Sequence, residues 1–527
     1  MSKIEWGITS NAHDAALAVV KNSKGNQPEI LFAAHAERSS GRKNDAWLNQ
    51  TIVDQALEFG KPEDIHWYEN FNTKRLRQIR SGQWKTAWNK EAPWQTLGKL
   101  GVVWPTPWTP VSSGLVGGIG APSSYPPKLH YHKHHASHAA AGYFTSSFRD
   151  AAVLVIDSIG EFETLTIWQG RDRQLKRTFS QRYPHSVGLW YSSMTQRIGL
   201  KPNEDEYILM GWAALGDPER FKQKIYDDFF YPLKNNSPEI KFKHNLHRGC
   251  RWWAPELNSL QDYADIAAGT QAVYEMIFDH LLKYIKHSTN NKNIVIMGGC
   301  ALNCVANGRA YKYFDNVWIM PNPGDAGSSL GCVLDDVRDF TEYNTAYLGY
   351  NIKGDYPIEN TIKQLKTERM VGVANGRAEF GPRALGNRTL FADPRGDDVQ
   401  DLVNTVKKRQ PFRPFAPVIK ADKVHDYFEM PPGCDESQFM QFIATTKHPD
   451  KFPAITHYDG TSRVQTVTAE QHPDLYRLLD RWEQETGCPI LLNTSLNIKG
   501  EPMVDTEADA KRWHERYGVK VLTKEGE

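Results

Sequence analysis

The chain has 527 residues, with 63 lysines and arginines against 62 aspartates and glutamates, and a formal net charge of +1. That length calls for two or more domains with sizeable cores, and so balanced a charge points to no class of partner. A mean hydropathy of −0.58 and the lack of an apolar run near the ~20 residues of a spanning helix argue against membrane residence.

Residues 4–20 read as strand, polar turn and strand, with His13 and Asp14 at the tip. Acidic and polar residues this early do not suit a signal peptide. Leu31–Glu37 reads as a third strand and Asp45–Phe59 as a helix. The six cysteines form no CxxC pair. They read as reduced thiols of a cytoplasmic protein, not as a disulfide framework or zinc ribbon.

Residues 72–99 are basic: Lys74, Arg75, Arg77, Arg80, Lys85, Lys90 and Lys99 stand against the single acid Glu91, with Trp84, Trp88 and Trp94 between them. A second patch, 241–253, carries Lys243, Arg248 and Arg251 beside Trp252 and Trp253. Cations contact phosphates and indoles stack on bases, so both patches suit a nucleic-acid surface, and both equally suit a solvated face. The Gly-, Pro- and Ser-rich stretch 101–127 reads as loop.

His134 and His138 stand four residues apart, which on a helix places both imidazoles on one face, able to share a metal ion. His135 lies off that face. Further ligands are expected from Asp157, which ends the apolar run 151–156, and from Asp325, in a glycine-rich turn. That run reads as a buried strand, and the following residues turn at Gly160 into another. Strand–turn–strand therefore occurs twice, as in a duplicated fold. Asp262–Lys286 reads as a long amphipathic helix. Gly298, Gly299 and Asn303 after strand 294–297, and Gly324, Gly327 and Ser328 after strand 317–320, repeat a strand–glycine–helix pattern. That pattern lets backbone amides approach a phosphate. A boundary is expected near 345–352. Beyond it, the stretches Gly376–Arg388, Lys407–Pro417 and His457–Arg463 set arginines among Gly and Pro on fixed turns, suited to binding phosphate or carbamate oxygens.

These motifs together resemble the O-carbamoyltransferase family of the nodulation-factor and tobramycin enzymes. The resemblance spans nearly the whole chain. Its most specific pieces are Glu379-Phe-Gly-Pro-Arg-Ala-Leu-Gly-Asn-Arg388, Phe412-Arg-Pro-Phe-Ala-Pro417, His457-x-Asp-Gly-Thr-x-Arg463, and the stretch Asn493–Pro502. It implies an α/β and α+β architecture: an N-terminal actin-like, duplicated ATPase-type domain over 1–347 and a C-terminal YrdC-like domain over 348–527. It also implies formation of carbamoyl-adenylate and pyrophosphate from carbamoyl phosphate and ATP in the second domain. The carbamoyl group would then pass to an acceptor hydroxyl in the first. On this resemblance His134, His138, Asp157 and Asp325 hold a divalent metal, Fe2+ first, with Zn2+ or Mn2+ as alternatives, while Mg2+ accompanies ATP. His13, with Asp14, serves as acid/base. Arg383, Arg388, Lys407, Arg413, Arg463, Asn493 and Ser495 bind carbamoyl phosphate or the adenylate.

Three positions depart from the family's pattern: Ile208 where a lysine is usual, Gln410 where a glutamate is usual, and Ala36 where a glutamate is usual. The two basic patches raise DNA as a partner, with a 5-hydroxymethyl pyrimidine as acceptor. Lys74, Arg75, Arg77, Arg80, Trp84, Trp88, Lys243, Arg248 and Arg251 would then be contacts. The rival acceptor is a nucleotide, sugar or other small molecule, and a non-catalytic metal- or ATP-binding protein would form no adenylate at all. No membrane partner is expected, and a homodimer is compatible with the sequence.

Overall fold

The computed structural model describes residues 2–89, 91–102, 127–410, 413 and 415–526. Lys90, Phe412 and nearly all of the expected loop 101–127 lie outside the described residues.

Five strands build the first sheet: β1 (Ser2–Thr9), β2 (Ala16–Ser23), β3 (Glu29–His35), β4 (Asp64–Trp67) and β5 (Lys128–Tyr131), in the order β3-β2-β1-β4-β5. The first three pair antiparallel, and β4 and β5 run parallel to β1. The second sheet repeats that plan with β6 (Asp150–Ile156), β7 (Glu163–Arg171), β8 (Gln174–Arg182), β9 (Asn293–Met297) and β10 (Asn316–Trp318), in the order β10-β9-β6-β7-β8. Here too the hairpin strands are antiparallel and the later two parallel. The repeated topology is a duplication, as the two strand–turn–strand segments suggested.

β6 shows why an unbroken apolar run forms a central strand. Side chains alternate between faces. Ala152, Leu154 and Ile156 enter one hydrophobic cluster, while Ala151, Val153 and Val155 enter another. Between the sheets the helix His134–Thr145 packs against the helix Ser328–Val337. The approach is close enough to require glycine. A Cβ on Gly331 would lie 1.9 Å from the Ser137 carbonyl oxygen, and one on Gly7 of β1 would lie 1.7 Å from that of Ser329.

The segment near 345–352 forms β11 (Tyr347–Ile352), which pairs with β13 (Gly376–Glu379). The largest following sheet is mixed. It contains β12 (Met370–Ala374), β14 (Arg388–Ala392), β15 (Ala416–Lys420), β19 (Gln465–Val467), β20 (Ile490–Ser495) and β21 (Val521–Leu522), in the order β19-β15-β20-β14-β12-β21. A small antiparallel sheet joins β16 (Phe428–Glu429), β17 (Ile443–Thr446) and β18 (Thr461–Arg463). One apolar cluster runs from Leu154 and Ile296 through Leu390, Phe415 and Ile490, so the two halves share a core. The fold is therefore α/β, built on mixed sheets. All six cysteines are unpaired, and no described helix is long and apolar enough to cross a membrane.

The loop between β13 and β14 is held by its two ends. Glu379 Oε1 accepts the backbone N–H groups of Leu385, Asn387 and Arg388 at 2.8, 2.9 and 3.2 Å. Arg388 is wholly buried and donates to the carbonyls of Asp505, Asn375, Gly376, Asn387 and Tyr350 at 2.8–3.1 Å. Its expected role in binding carbamoyl phosphate is corrected accordingly, because its donors are committed to backbone. Removing a buried charge from its acceptors costs roughly 3–5 kcal/mol. Arg388→Met is expected to lower the thermal midpoint by about 3–5 °C, and Arg383→Ala to leave it near that of the unaltered chain, as read by calorimetry.

Candidate active site

Every residue of the helix His134–Thr145 is buried. Its first turn faces the turns that follow β6 and β10. His134 Nε2 lies 3.3 Å from Asp157 Oδ2 and 3.3 Å from Asp325 Oδ1, and His138 Nε2 lies 3.3 Å from the same Asp325 oxygen. One donor atom from each of the four residues falls within 4.8 Å of the others. Two imidazoles and two carboxylates, all buried and converging, fit a divalent ion.

Neighbouring groups hold this cluster in place. Glu161 Oε1 accepts the backbone N–H groups of His134 and Asn70 at 3.2 and 2.7 Å. Glu69 sits 3.7 Å from His134 Nδ1 and is itself paired with Lys74 at 2.6 Å. Asp157 Oδ1 accepts from Gly299 N at 3.1 Å. His135 instead meets Thr166 Oγ1 at 3.0 Å, outside the cluster.

Burial alone would discharge these groups. Burial does oppose charge on His134, but the Asp325, Asp157 and Glu69 carboxylates outweigh it and hold the imidazolium well above the usual histidine range. Burial likewise disfavours ionised Asp157 and Asp325, yet His134 and His138 hold both carboxyls well below the usual range. His13 lies beyond them, with Nδ1 3.0 Å from Asp14 Oδ2 and Nε2 3.8 Å from Asp325 Oδ2. Its ring is deep in the fold but half open to the cavity. Burial pulls its pKa down, and Asp14, Asp325 and Asp157 together hold it at about 9. A cation accepted by Asp157 and Asp325 would remove two of those three supports.

The cluster opens into a cavity of about 440 Å³ whose far wall is basic. Arg383, Lys407, Arg409, Arg413 and Arg463 line it, as do Asn493 and Ser495. Lys407 donates to Ser495 Oγ at 3.1 Å and to Asn497 Oδ1 at 2.7 Å, which are neutral acceptors. The Arg413 guanidinium lies 4.8 Å from the centre of the Tyr207 ring. Among the described residues Arg383, Lys407, Arg413 and Arg463 have no carboxylate partner. Burial and the adjacent Arg463 push Arg383 down to about 9. Burial with Arg409 and Arg413 pushes Lys407 well below the lysine range. Cations so held gain from an anionic ligand.

Of the six expected nucleotide-binding positions, Gly299, Asn303 and Gly324 line the cavity. Gly298, Gly327 and Ser328 pack inward instead. A Cβ on Gly298 would lie 2.2 Å from the Ile156 carbonyl oxygen, and one on Gly327 would lie 1.9 Å from that of Asn322, while Ser328 is fully buried. Sequence reasoning missed Arg409, Glu206 and Tyr207 as cavity residues. The Arg409-Gln-Pro cluster was the available signal for the first. Ile208, the departure next to Tyr207, is a core residue and does not reach the cavity.

The basic patches are reduced. Lys74 is buried in its pair with Glu69, and Arg77 is buried with Nε donating to the Glu161 carbonyl at 3.1 Å. Neither is available to a phosphate. Lys243 donates to the Asp227 carbonyl and lies over Tyr231. Arg80, Arg248 and Arg251 are exposed. Trp84 and Trp88 are 57% and 63% exposed, and Arg75 lies 4.6 Å over the Trp88 ring. Arg75, Trp88, Trp94, Gln95, Asn70 and Tyr131 line a second cavity of about 430 Å³.

Residues 111–334 match the family described as Carbamoyltransferase N-terminus, and residues 362–526 match Carbamoyltransferase C-terminus. An uncharacterized protein of Synechocystis sp. is 31% identical over 98% of this chain and 95% of its own length. The nodulation protein NolO of Bradyrhizobium diazoefficiens is 30% identical over 72% of this chain and 75% of its own. The 3'-hydroxymethylcephem-O-carbamoyltransferase of Amycolatopsis lactamdurans is 25% identical over 97% and 96%. Among solved structures, HypF of T. kodakarensis aligns with a TM-score of 0.33 and 12% identity, over 64% of this chain and 48% of that one.

Asp157→Asn keeps the shape of the cluster and removes a negative charge. It is expected to weaken divalent-ion binding there at least tenfold, as followed by Mn2+ titration with electron paramagnetic resonance.

Proposed function

This chain belongs to the carbamoyltransferase family, and from that premise we propose that it carries out ATP-dependent O-carbamoylation in two steps served by one cavity. The observation that carries the proposal is that Asp157 and Asp325 of the His/Asp cluster line the same 440 Å³ cavity as Arg383, Lys407, Arg413 and Arg463.

In the first step carbamoyl phosphate, ATP and water give carbamoyl-adenylate, pyrophosphate and phosphate. Water cleaves carbamoyl phosphate to carbamate and phosphate, and a carbamate oxygen then attacks the α-phosphorus of ATP as the bond to pyrophosphate breaks. Arg383, Arg413 and Arg463 bind and orient the anions, and Lys407 with Ser495 closes that wall. A carbamate carbonyl is a poor electrophile, so AMP provides the leaving group that transfer requires. This half of the proposal assigns activation to residues 348–527, as a YrdC-like unit, and transfer to residues 1–347.

In the second step the acceptor hydroxyl oxygen attacks the carbamoyl carbon, the bond to AMP breaks, and the hydroxyl proton passes to His13 Nε2. Asp14 fixes the opposite ring nitrogen, as a carboxylate does for a general-base histidine. A divalent ion held by His134, His138, Asp157 and Asp325 would supply Lewis acidity toward phosphate or carbonyl oxygens when bound. Fe2+, Zn2+ and Mn2+ all suit the donor set.

For the acceptor, burial of Lys74 and Arg77 favours a small hydroxylated molecule that enters the cavity. A small molecule bearing a hydroxymethyl group, as in the name of the cephem relative, is an acceptor of this kind. The exposed Trp84, Trp88 and Arg80, with the half-buried Arg75, support a second reading, a 5-hydroxymethyl pyrimidine in DNA, which would have to leave the base stack to reach the cavity.

Arg413→Ala is expected to cut carbamoyl-phosphate-dependent pyrophosphate release by on the order of 10²–10³. His13→Ala should retain that release and lose transfer by about 10²–10⁴. Equal loss of both activities in His13→Ala would contradict the division of labour. Gel shift of duplex DNA across a salt series separates the acceptors, since phosphate contacts predict binding that weakens steeply with salt. No shift at low salt would end the DNA reading.

A further inference from the structure

A second group of histidines and carboxylates lies outside the active site, on the first sheet. Glu5 on β1 pairs in register with Asp64 on the parallel strand β4, and His66, two residues on, pairs with His130 on β5. Alternation puts all four on one face, which the helix Ser328–Val337 covers where Gly7 meets Ser329. We propose that Glu5, Asp64 and His66, with His130 alongside, form a structural divalent-cation site separate from the active site.

Three observations carry this inference. One donor atom from each of Glu5, Asp64 and His66 lies within 4.8 Å of the others, and all three residues are buried. Glu5 Oε2 and His66 Nε2 are buried atoms without a hydrogen-bond partner, on side chains that are 2% and 0% exposed. Buried polar atoms are rarely left so, and here two of them belong to groups that ligate metals.

The third observation is the hydrogen-bond chain behind His66. Asp335 can only accept, so His132 donates to it from Nδ1, at 3.0 Å. His132 Nε2 lies 3.0 Å from His66 Nδ1, so the hydrogen bond between the two rings occupies Nδ1 of His66 and leaves its Nε2 without a partner. A carboxylate that orients a histidine through its far nitrogen is a usual support for a metal ligand.

The other charges around the group occupy one oxygen of each carboxylate: Lys3 donates to Glu5 Oε1 at 2.7 Å and to Asp64 Oδ2. Asp64 Oδ1 lies 3.4 Å from His130 Nε2. The His130 ring stacks on His66 with centroids 4.9 Å apart and planes 13° from parallel. Asp336, exposed, completes the carboxylates nearby. An ion here would tie β1, β4 and β5 together, and two of those strands lead directly to His13 and His134.

The test uses the full chain with His134→Ala and His138→Ala, which removes both imidazoles from the active-site cluster. This variant is expected still to bind one equivalent of Co2+, with the visible absorption of a nitrogen- and oxygen-ligated ion, and to melt at a higher temperature when Zn2+ is added. Adding His66→Gln or Glu5→Gln should weaken Co2+ binding at least tenfold and remove the Zn2+-dependent rise. His130→Gln, at the more exposed partner, should fold regardless and weaken Co2+ binding by a smaller factor. Lack of stoichiometric Co2+ binding in the double variant would overturn the proposal. So would binding that survives unchanged in both His66→Gln and His130→Gln. Neither outcome bears on carbamoyl transfer, which is measured separately.

Discussion

Two aspartates, Asp157 and Asp325, are buried within a few ångströms of each other, and the rest of the structure is arranged to make that tolerable. Like charges in a low-dielectric interior repel strongly and discharge unless opposed. Here His134 and His138 oppose them from the first turn of one buried helix. The duplicated fold makes this geometry available. In each half a hairpin turn ends at the cleft, carrying His13 and Asp14 in one and Asp157 in the other. Asp325 arrives at the head of the helix Ser328–Val337, and two glycines let that helix lie almost on the backbone of its neighbours. Glu161, Glu69 and the Gly299 amide then fix the orientation of the cluster.

The opposite wall has the reverse imbalance. Among the described residues Arg383, Lys407, Arg413 and Arg463 have no carboxylate partner there, so one cavity carries both a negative cluster and a positive surface. An anionic, activated carbamoyl donor and a hydroxyl acceptor need those two environments. The basic wall is itself braced by structure that does no chemistry. Glu379 collects three amides, Arg388 collects five carbonyls, and Arg38 donates to the Gly381 carbonyl from the first half of the chain. The loop they hold presents Arg383.

That loop shows how a motif mixes two kinds of residue. Glu379-Phe-Gly-Pro-Arg-Ala-Leu-Gly-Asn-Arg388 is legible as a functional stretch, but its two arginines are not distinguishable by type. Arg383 faces the cavity, and Arg388 is a buried cross-brace. The same ambiguity affected Lys74 and Arg77. Basic residues at helical spacing look like a solvated face, whereas here Glu69, just ahead of the helix, takes Lys74 inward and the distant Glu161 carbonyl takes Arg77. Glycines behave likewise: Gly299 and Gly324 open onto the cavity, while Gly298 and Gly327 are required by backbone packing. Spacing reports local geometry, and these outcomes depend on which distant element comes to lie alongside.

By itself the sequence determined whatever depends on local order. The apolar run of β6, the i,i+4 pair His134 and His138, the doubled strand–turn–strand and the long helix near 260–289 follow from periodicity, which is a property of neighbouring residues. The family motifs likewise carried the reaction class. Tertiary structure alone decided which charges are compensated: that Arg388 and Arg77 are satisfied, that among the described residues Arg383 and Arg463 have no carboxylate partner, and that Asp157, Asp325 and these arginines line one cavity. It also brought Glu5, Asp64 and His66 together from strands about sixty residues apart. Charge compensation acts through space over a few ångströms, and the chain sets those distances only when it folds.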